Sequence, residues 1–158
     1  MAYVGRAARV ESPMGLPLIK PPWGRISAVD LNRGEMLWQI AHGETPDAVK
    51  SNPALKGVTV PRTGRPAGAG GSSGGIGVLV TRTLLIAGEG GTVRMPDGSR
   101  GAMLRAYDKK TGGEVGAVAM SGAQTGSPMT YMLDGKQYII VASSSSISPG
   151  ELIAYRLP

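Results

Sequence analysis

The only histidine in the chain, His42, stands beside Gly43 and Glu44. A general base or metal ligand needs further groups in reach, and no such spacing surrounds it, so His42 reads as a solvated loop residue. Asp30 and Asp108 invite a reading as paired carboxylates for acid–base work. Each, however, opens a turn of the form Asp-x-x-x-Gly, closed by Gly34 and Gly112. Both are therefore assigned to hydrogen bonding the backbone at a corner. The run Gly68–Gly77 has the composition of a phosphate cradle but lacks the Gly-Lys-Ser/Thr ending, and no helical pattern follows it. The mechanics of a nucleotide loop fail there. Cysteine is absent, which excludes disulfides and thiolate metal sites. Lys136 is most simply a solvated turn residue.

The elements that position these residues centre on Ala28-Val29-Asp30-Leu31-Asn32-Arg33-Gly34-Glu35-Met36-Leu37-Trp38. This is a strand, a tight polar turn and a second strand. Ala lets a neighbouring layer approach, Asp bonds the turn backbone, and Gly supplies positive φ. Trp buries a large flat surface while keeping one N–H for a partner. A degenerate copy begins at Ala106-Tyr107-Asp108-Lys109-Lys110-Thr111-Gly112, with Gly116 in the place of the Trp. A repeated hairpin that cannot bury its own face implies stacked units.

Composition supports a turn-rich β protein. The chain has 158 residues, with Gly 25 and Pro 12 set between apolar, β-branched runs. Net charge is +6, but the 17 basic residues are scattered, which excludes a nucleic-acid footprint. No apolar segment approaches membrane-span length, and Met1 to Val10 lacks the apolar core of a signal peptide.

Residues 1–25 read as an irregular, Pro-rich segment. Strands are expected at Gly24–Asp30, Glu35–Ile40, Ile76–Thr81, Thr83–Ala87, Ala102–Asp108, Glu114–Ala119, Ser127–Leu133, Gln137–Ala142 and Leu152–Leu157. His42 to Gly77 is a long connection, Gly88–Gly101 an insertion, and Ser143–Gly150 a polar loop. Helix content should be near zero. The strands group as an outer half blade over 26–40, a full four-stranded blade over 76–119, and a last blade over 127–157 that lacks one strand. This is an all-β, partial β-propeller of about two and a half blades, too few to close a ring.

The Ala-x-Asp-x-x-x-Gly-x-x-x-Trp pattern of residues 28–38 resembles the tryptophan-docking motif of the pyrroloquinoline-quinone (PQQ) dependent dehydrogenases. Pro21-Pro22-Trp23-Gly24, Leu104-Arg105-Ala106-Tyr107-Asp108, Thr125-Gly126-Ser127-Pro128-Met129-Thr130-Tyr131, Gly135-Lys136-Gln137-Tyr138 and Glu151-Leu152-Ile153-Ala154-Tyr155 continue the likeness. Together they look like the C-terminal quarter of a membrane-type glucose dehydrogenase or a related sugar or alcohol dehydrogenase. The resemblance implies an eight-bladed propeller with PQQ and calcium on its axis, a periplasmic location, and electron delivery to ubiquinone or a cytochrome. In such an enzyme the quinone accepts a hydride from the C–H bearing the hydroxyl, a carboxylate takes the hydroxyl proton, and calcium polarises the quinone.

The resemblance also places residues. Gly74 and Gly75 fall where the family sets a residue under the PQQ ring, offering backbone but no aromatic floor. Ser144, Ser145 and Ser146 stand where the family usually carries a Gly-rich, His- or Trp-bearing loop against the quinone. That serine run reads either as a loop on the cofactor face or as a low-complexity surface turn. Likewise, Gly68–Gly77 is either a propeller loop near the axis or a flexible connector. Trp38 is expected to pack between blades, and Trp23 to pack on the rim or approach the active-site mouth. The calcium ligands and the catalytic carboxylate are expected in earlier blades, which leaves this chain scaffold, blade closure and part of the cofactor pocket. Alone it is expected to be inactive, completed by missing upstream blades or by self-association through exposed blade edges. The alternative is a non-catalytic quinoprotein-like β-repeat module that binds proteins.

Overall fold

The computed structural model describes residues 14–65, 76–145 and 148–156. Three antiparallel sheets account for about half of them. The first pairs β1 (Arg25–Asp30) with β2 (Glu35–Ala41), setting Ala28 opposite Trp38 with a bulge between Ala28 and Val29. In the turn, Asp30 Oδ1 accepts from the Asn32 amide at 2.9 Å and the Arg33 amide at 3.3 Å. Gly34, at φ 69°, donates to the Asp30 carbonyl.

The second sheet contains β3 (Leu79–Val80), β4 (Leu84–Gly88), β5 (Val93–Arg94), β6 (Arg100–Asp108) and β7 (Glu114–Met120). Here β6 is the spine, pairing with β4, β5 and β7. Its turn repeats the chemistry of the first: Asp108 Oδ1 accepts from the Lys110 and Thr111 amides at 3.0 and 2.9 Å, and Gly112 closes the corner. Both aspartates therefore hold corners, as their spacing predicts.

In the third sheet β8 (Ala123–Gln124), β9 (Met129–Leu133) and β11 (Ser148–Arg156) all pair with β10 (Lys136–Ser145). Two details differ from expectation. The strand expected over Ile76–Thr81 shrinks to Leu79–Val80, because Gly77 is held instead by the Gln124 side chain, whose Nε2 donates to the Gly77 carbonyl. The polar loop expected over Ser143–Gly150 is largely strand. Ser143 pairs with Glu151 on one side and Gln124 on the other, and Ser144 pairs with Ala123. Ladder partners on both sides outweigh the low strand propensity of serine. Among the described residues helix is confined to α1 (Asp47–Lys50) and a 3-10 turn at Pro53–Leu55, both in the connection after β2. Among the described residues no helix is long and apolar enough to cross a membrane.

Alternation along the strands sorts side chains into two inter-sheet layers. Ile86, Ala102, Leu104 and Met120 of the second sheet pack with Ile139 and Val141 of the third. On the opposite face Leu85, Ala87 and Tyr107 meet Ile26, Trp38 and Ile40 of the first. Trp38 lies between the sheets, donating Nε1–H to the Lys109 carbonyl at 3.1 Å. A Cβ at Gly112 would come within 2.8 Å of its ring, so a glycine is required both for the turn and for the Trp. The three sheets stack as propeller blades do and do not close into a ring.

Candidate functional site

The ends of β2, β4, β7 and β10 meet at the end of the sheets opposite the Asp30 and Asp108 corners. His42 follows β2 directly and is not solvated: it is 5% exposed. Its Nδ1 lies 2.8 Å from the Tyr107 hydroxyl and its Nε2 3.1 Å from the Gly88 carbonyl. The solvated-loop expectation fails because the chain turns inward after Ala41, where the Gly24 carbonyl accepts the His42 amide. Gly64, at φ 66°, crosses Gly24 so closely that a side chain at either would strike backbone, and this crossing seals the turn. Burial lowers the His42 pKa below its ordinary 6.5, with Arg105 and Arg62 acting in the same sense against the pull of the Gly88 carbonyl. Burial also pushes the Tyr107 hydroxyl up to about 12.

Beneath the histidine lies an ion-pair network that sequence reasoning missed. Arg105, with a side chain 4% exposed, donates Nε–H to Glu89 at 2.8 Å, Nη2–H to Glu44 at 2.8 Å and Nη1–H to Glu114 at 3.0 Å. Arg62 closes the ring, 2.6 Å from Glu114 and 3.6 Å from Glu44. Burial raises the Glu89 pKa while Arg105 opposes it; burial works against the Arg105 charge too, but Glu89 and Glu114 outweigh it and raise its pKa. The usable signal was a charge set between Leu104 and Ala106 in an apolar central strand, since arginine is almost never fully buried unless paired. Bordering the network, with Glu44, Arg105 and Glu114 in its wall, an open groove of about 1180 Å³ runs between α1 and the β5–β6 hairpin, lined also by Asp47, Lys50 and Arg100 among others.

Gln124 connects this cluster to the third sheet. Its Oε1 accepts from the Gly88 amide at 2.6 Å, and its own amide donates to the Glu89 carbonyl at 2.8 Å. Opposite it in the ladder, Ser143 is 1% exposed, and its hydroxyl has no hydrogen-bond partner among the described residues. Ser144 and Ser145 follow on the same strand, half-buried. The structure thus brings Ser144 and Ser145 to the end of the sheets where His42 and Gln124 lie. Gly74, Gly75 and Ser146, and most of the Gly68–Gly77 run, lie outside the described residues. Trp23 donates Nε1–H to the Ile19 carbonyl at 2.6 Å and its amide to Thr63, which ties it to the rim segment. Lys136 is exposed in its turn, as expected.

Chemically, the ionisable groups at this end of the chain are tied to one another. Every carboxylate of the network is held by Arg105 or Arg62, and His42 and Tyr107 are too buried to meet a substrate. Among the described residues no three His, Cys, Asp or Glu side chains converge as a metal set. They do not fit calcium. Ser144 and Ser145, half-buried, leave a polar strand end there, and Trp38 is committed to the opposite corner.

Comparison with known proteins places these features in a family. Residues 1–139 match the family described as "PQQ: Glucose/ethanol/alcohol dehydrogenase, beta-propeller domain". The chain is 29% identical over 152 residues to quinoprotein glucose dehydrogenase A of Acinetobacter calcoaceticus, covering 93% of this chain and 17% of the relative. It is 31% identical over 166 aligned positions to a probable quinate dehydrogenase (quinone) of Xanthomonas campestris pv. juglandis, covering 99% of this chain and 18% of that one. A glycerol dehydrogenase large subunit of Gluconobacter thailandicus is 29% identical over 150 residues, with 91% and 18% covered. The chain therefore spans less than a fifth of the length of these relatives. With its stacked antiparallel sheets and repeated Asp–Gly corners, it belongs to the β-propeller domain family of the PQQ-dependent glucose, ethanol and alcohol dehydrogenases.

Proposed function

We propose that this chain supplies blades, and one polar edge of the cofactor pocket, to a PQQ-dependent dehydrogenase that oxidises a sugar or alcohol hydroxyl. Calcium and the general base belong to blades outside it, electrons pass on to ubiquinone or a cytochrome, and the enzyme works in the periplasm. The observation that carries this reading is the pair of apolar faces left uncovered at the two ends of the stack. On the first sheet Val29 and Leu37 are 50% and 60% exposed; on the third, Met129, Leu133 and Leu152 are 53%, 50% and 75% exposed. Faces of this kind belong against further sheets, whether of a longer polypeptide or of a second copy. The carboxylates inside the chain are spent on structure, so the reading also holds that the chain alone does not turn over substrate. Ser144 and Ser145 are assigned to the cofactor edge, with Gly74, Gly75 and Ser146 completing it.

The test is titration of the purified chain with PQQ, with and without calcium, following quinone absorbance and tryptophan fluorescence alongside sedimentation. The expected result is no saturable binding by the monomer, with binding and turnover only in assemblies that supply further blades. Calcium-dependent turnover by a monomer would overturn the division of labour. No binding in any assembly would overturn the enzyme reading in favour of a cofactor-free β-repeat module.

A further inference from the structure

The buried histidine has a property that its scaffold role does not use. A carbonyl only accepts, so the Gly88 contact fixes the hydrogen of His42 on Nε2. In the neutral ring Nδ1 is then bare, and the Tyr107 hydroxyl donates to it at 2.8 Å. A second proton on the ring turns Nδ1 into a donor. The Tyr107 oxygen must then accept, and its own hydrogen loses its acceptor in a site where Tyr107 is 2% exposed.

The charges around the ring are fixed by the same packing. Burial opposes a positive imidazole most, Arg105 of β6 and Arg62 of the segment before Gly64 add to it, and the Gly88 carbonyl and Glu114 of β7 favour one without outweighing them. Glu44, two residues along, and Glu89, after β4, are occupied by Arg105. The neutral ring is thus the form this site is built for.

We propose that His42 is a pH-operated latch. Neutral, it ties the end of β4 to Tyr107. On taking a proton below neutral pH the ring loses the Tyr107 hydrogen and carries a charge in a buried site. It therefore leaves its pocket, the Gly88 carbonyl loses its donor, and the end of β4 loosens against Gln124. The line of transmission is short: His42 donates to the Gly88 carbonyl, the Gly88 amide donates to the Gln124 side chain, and the Gln124 amide donates to the Glu89 carbonyl. Because the folded ring titrates below 6.5, the latch is fully closed above that pH, and opening begins as pH falls through it.

The chain contains one histidine, so its imidazole C2–H resonance reports the latch directly in the intact protein. The experiment combines that titration with amide hydrogen exchange between pH 8 and 5, corrected for the intrinsic pH dependence of exchange. The expected result is a midpoint below 6.5. Protection at Gly88 and Gln124 falls about tenfold per pH unit below 6.5 until the folded ring takes the proton, while Tyr138–Val141 in the β10–β11 ladder stays unchanged. Tyr107→Phe removes the hydroxyl that serves the neutral ring, so the midpoint and the onset of local opening both move upward together. His42→Gln abolishes the pH dependence. Equal loss of protection in both regions would show global unfolding and overturn the latch. So would an unshifted midpoint without local opening, or an unchanged pH response in His42→Gln.

Discussion

The two faces of the second sheet solve one packing problem in opposite ways. Against the third sheet the interface is centrally apolar, with Ile86, Ala102, Leu104 and Met120 on one side, Ile139 and Val141 on the other, and polar links from Gln124 and Tyr155 at its edges. Against the first sheet the apolar layer is smaller, and polar contacts do the fixing: Trp38 on the Lys109 carbonyl, His42 on Tyr107, and Arg105 among three carboxylates. The repeat itself carries the same contrast. At the first corner a Trp docks on the next hairpin; at the second, Gly116 faces open space. A mainly apolar face needs chiefly matched shape. A polar face needs every partner present, so a single deletion there is more costly.

That contrast can be broken at four points. The largest effect is expected for Arg105→Leu, which strands Glu89, 3% exposed, without its cation. Chemical denaturation at neutral pH should show a loss of about 3–5 kcal/mol. Because burial raises the Glu89 pKa, a stranded Glu89 takes up a proton as pH falls, and the loss should shrink in acid. A loss that grows in acid would contradict the role given to Glu89. On the mainly apolar face Leu104→Ala should cost about 3 kcal/mol, with no dependence on salt or mild pH change. Trp38→Phe keeps most of the buried ring but removes the bond to Lys109, and a loss of about 1–2 kcal/mol is expected in thermal melts. Gly116→Trp should change stability by less than about 0.5 kcal/mol, since nothing stands within 4 Å to receive the ring. A substantial gain from that last variant would mean that the second hairpin has a docking surface after all.

The parts of this fold that a reader of the sequence can see are the local ones. Asp30, Gly34, Asp108 and Gly112 announce their corners because turn chemistry is decided within five residues. The strands on either side follow from β-branched runs. Trp38 was placed between sheets because its motif resembles a docking motif, and the Lys109 carbonyl receives it. His42 was misread because its partners, Tyr107 and Gly88, lie far along the chain, and nothing near it in sequence marks them. Arg105 was passed over for a similar reason: its three carboxylates come from two connections and a strand. Ser144 and Ser145 were assigned to a loop because serine favours turns, whereas ladder partners on both sides keep β10 extended to Ser145. In each miss a tertiary partner overrode the local preference.

Gln124 carries a consequence for how this chain can be altered. Its carboxamide bonds the Gly88 amide and the Gly77 carbonyl, and its backbone bonds Glu89, so three contacts meet on one residue. Lengthening the 121–126 segment by even one residue would draw that residue out of all three. The hairpin tip at Pro96–Ser99 is its opposite. There Asp97 serves only Ser99, Gly98 has open space around it, and the residues are exposed or nearly so. A peptide tag or an inserted domain belongs at that tip, where the chain can be opened without disturbing what the sheets hold in common.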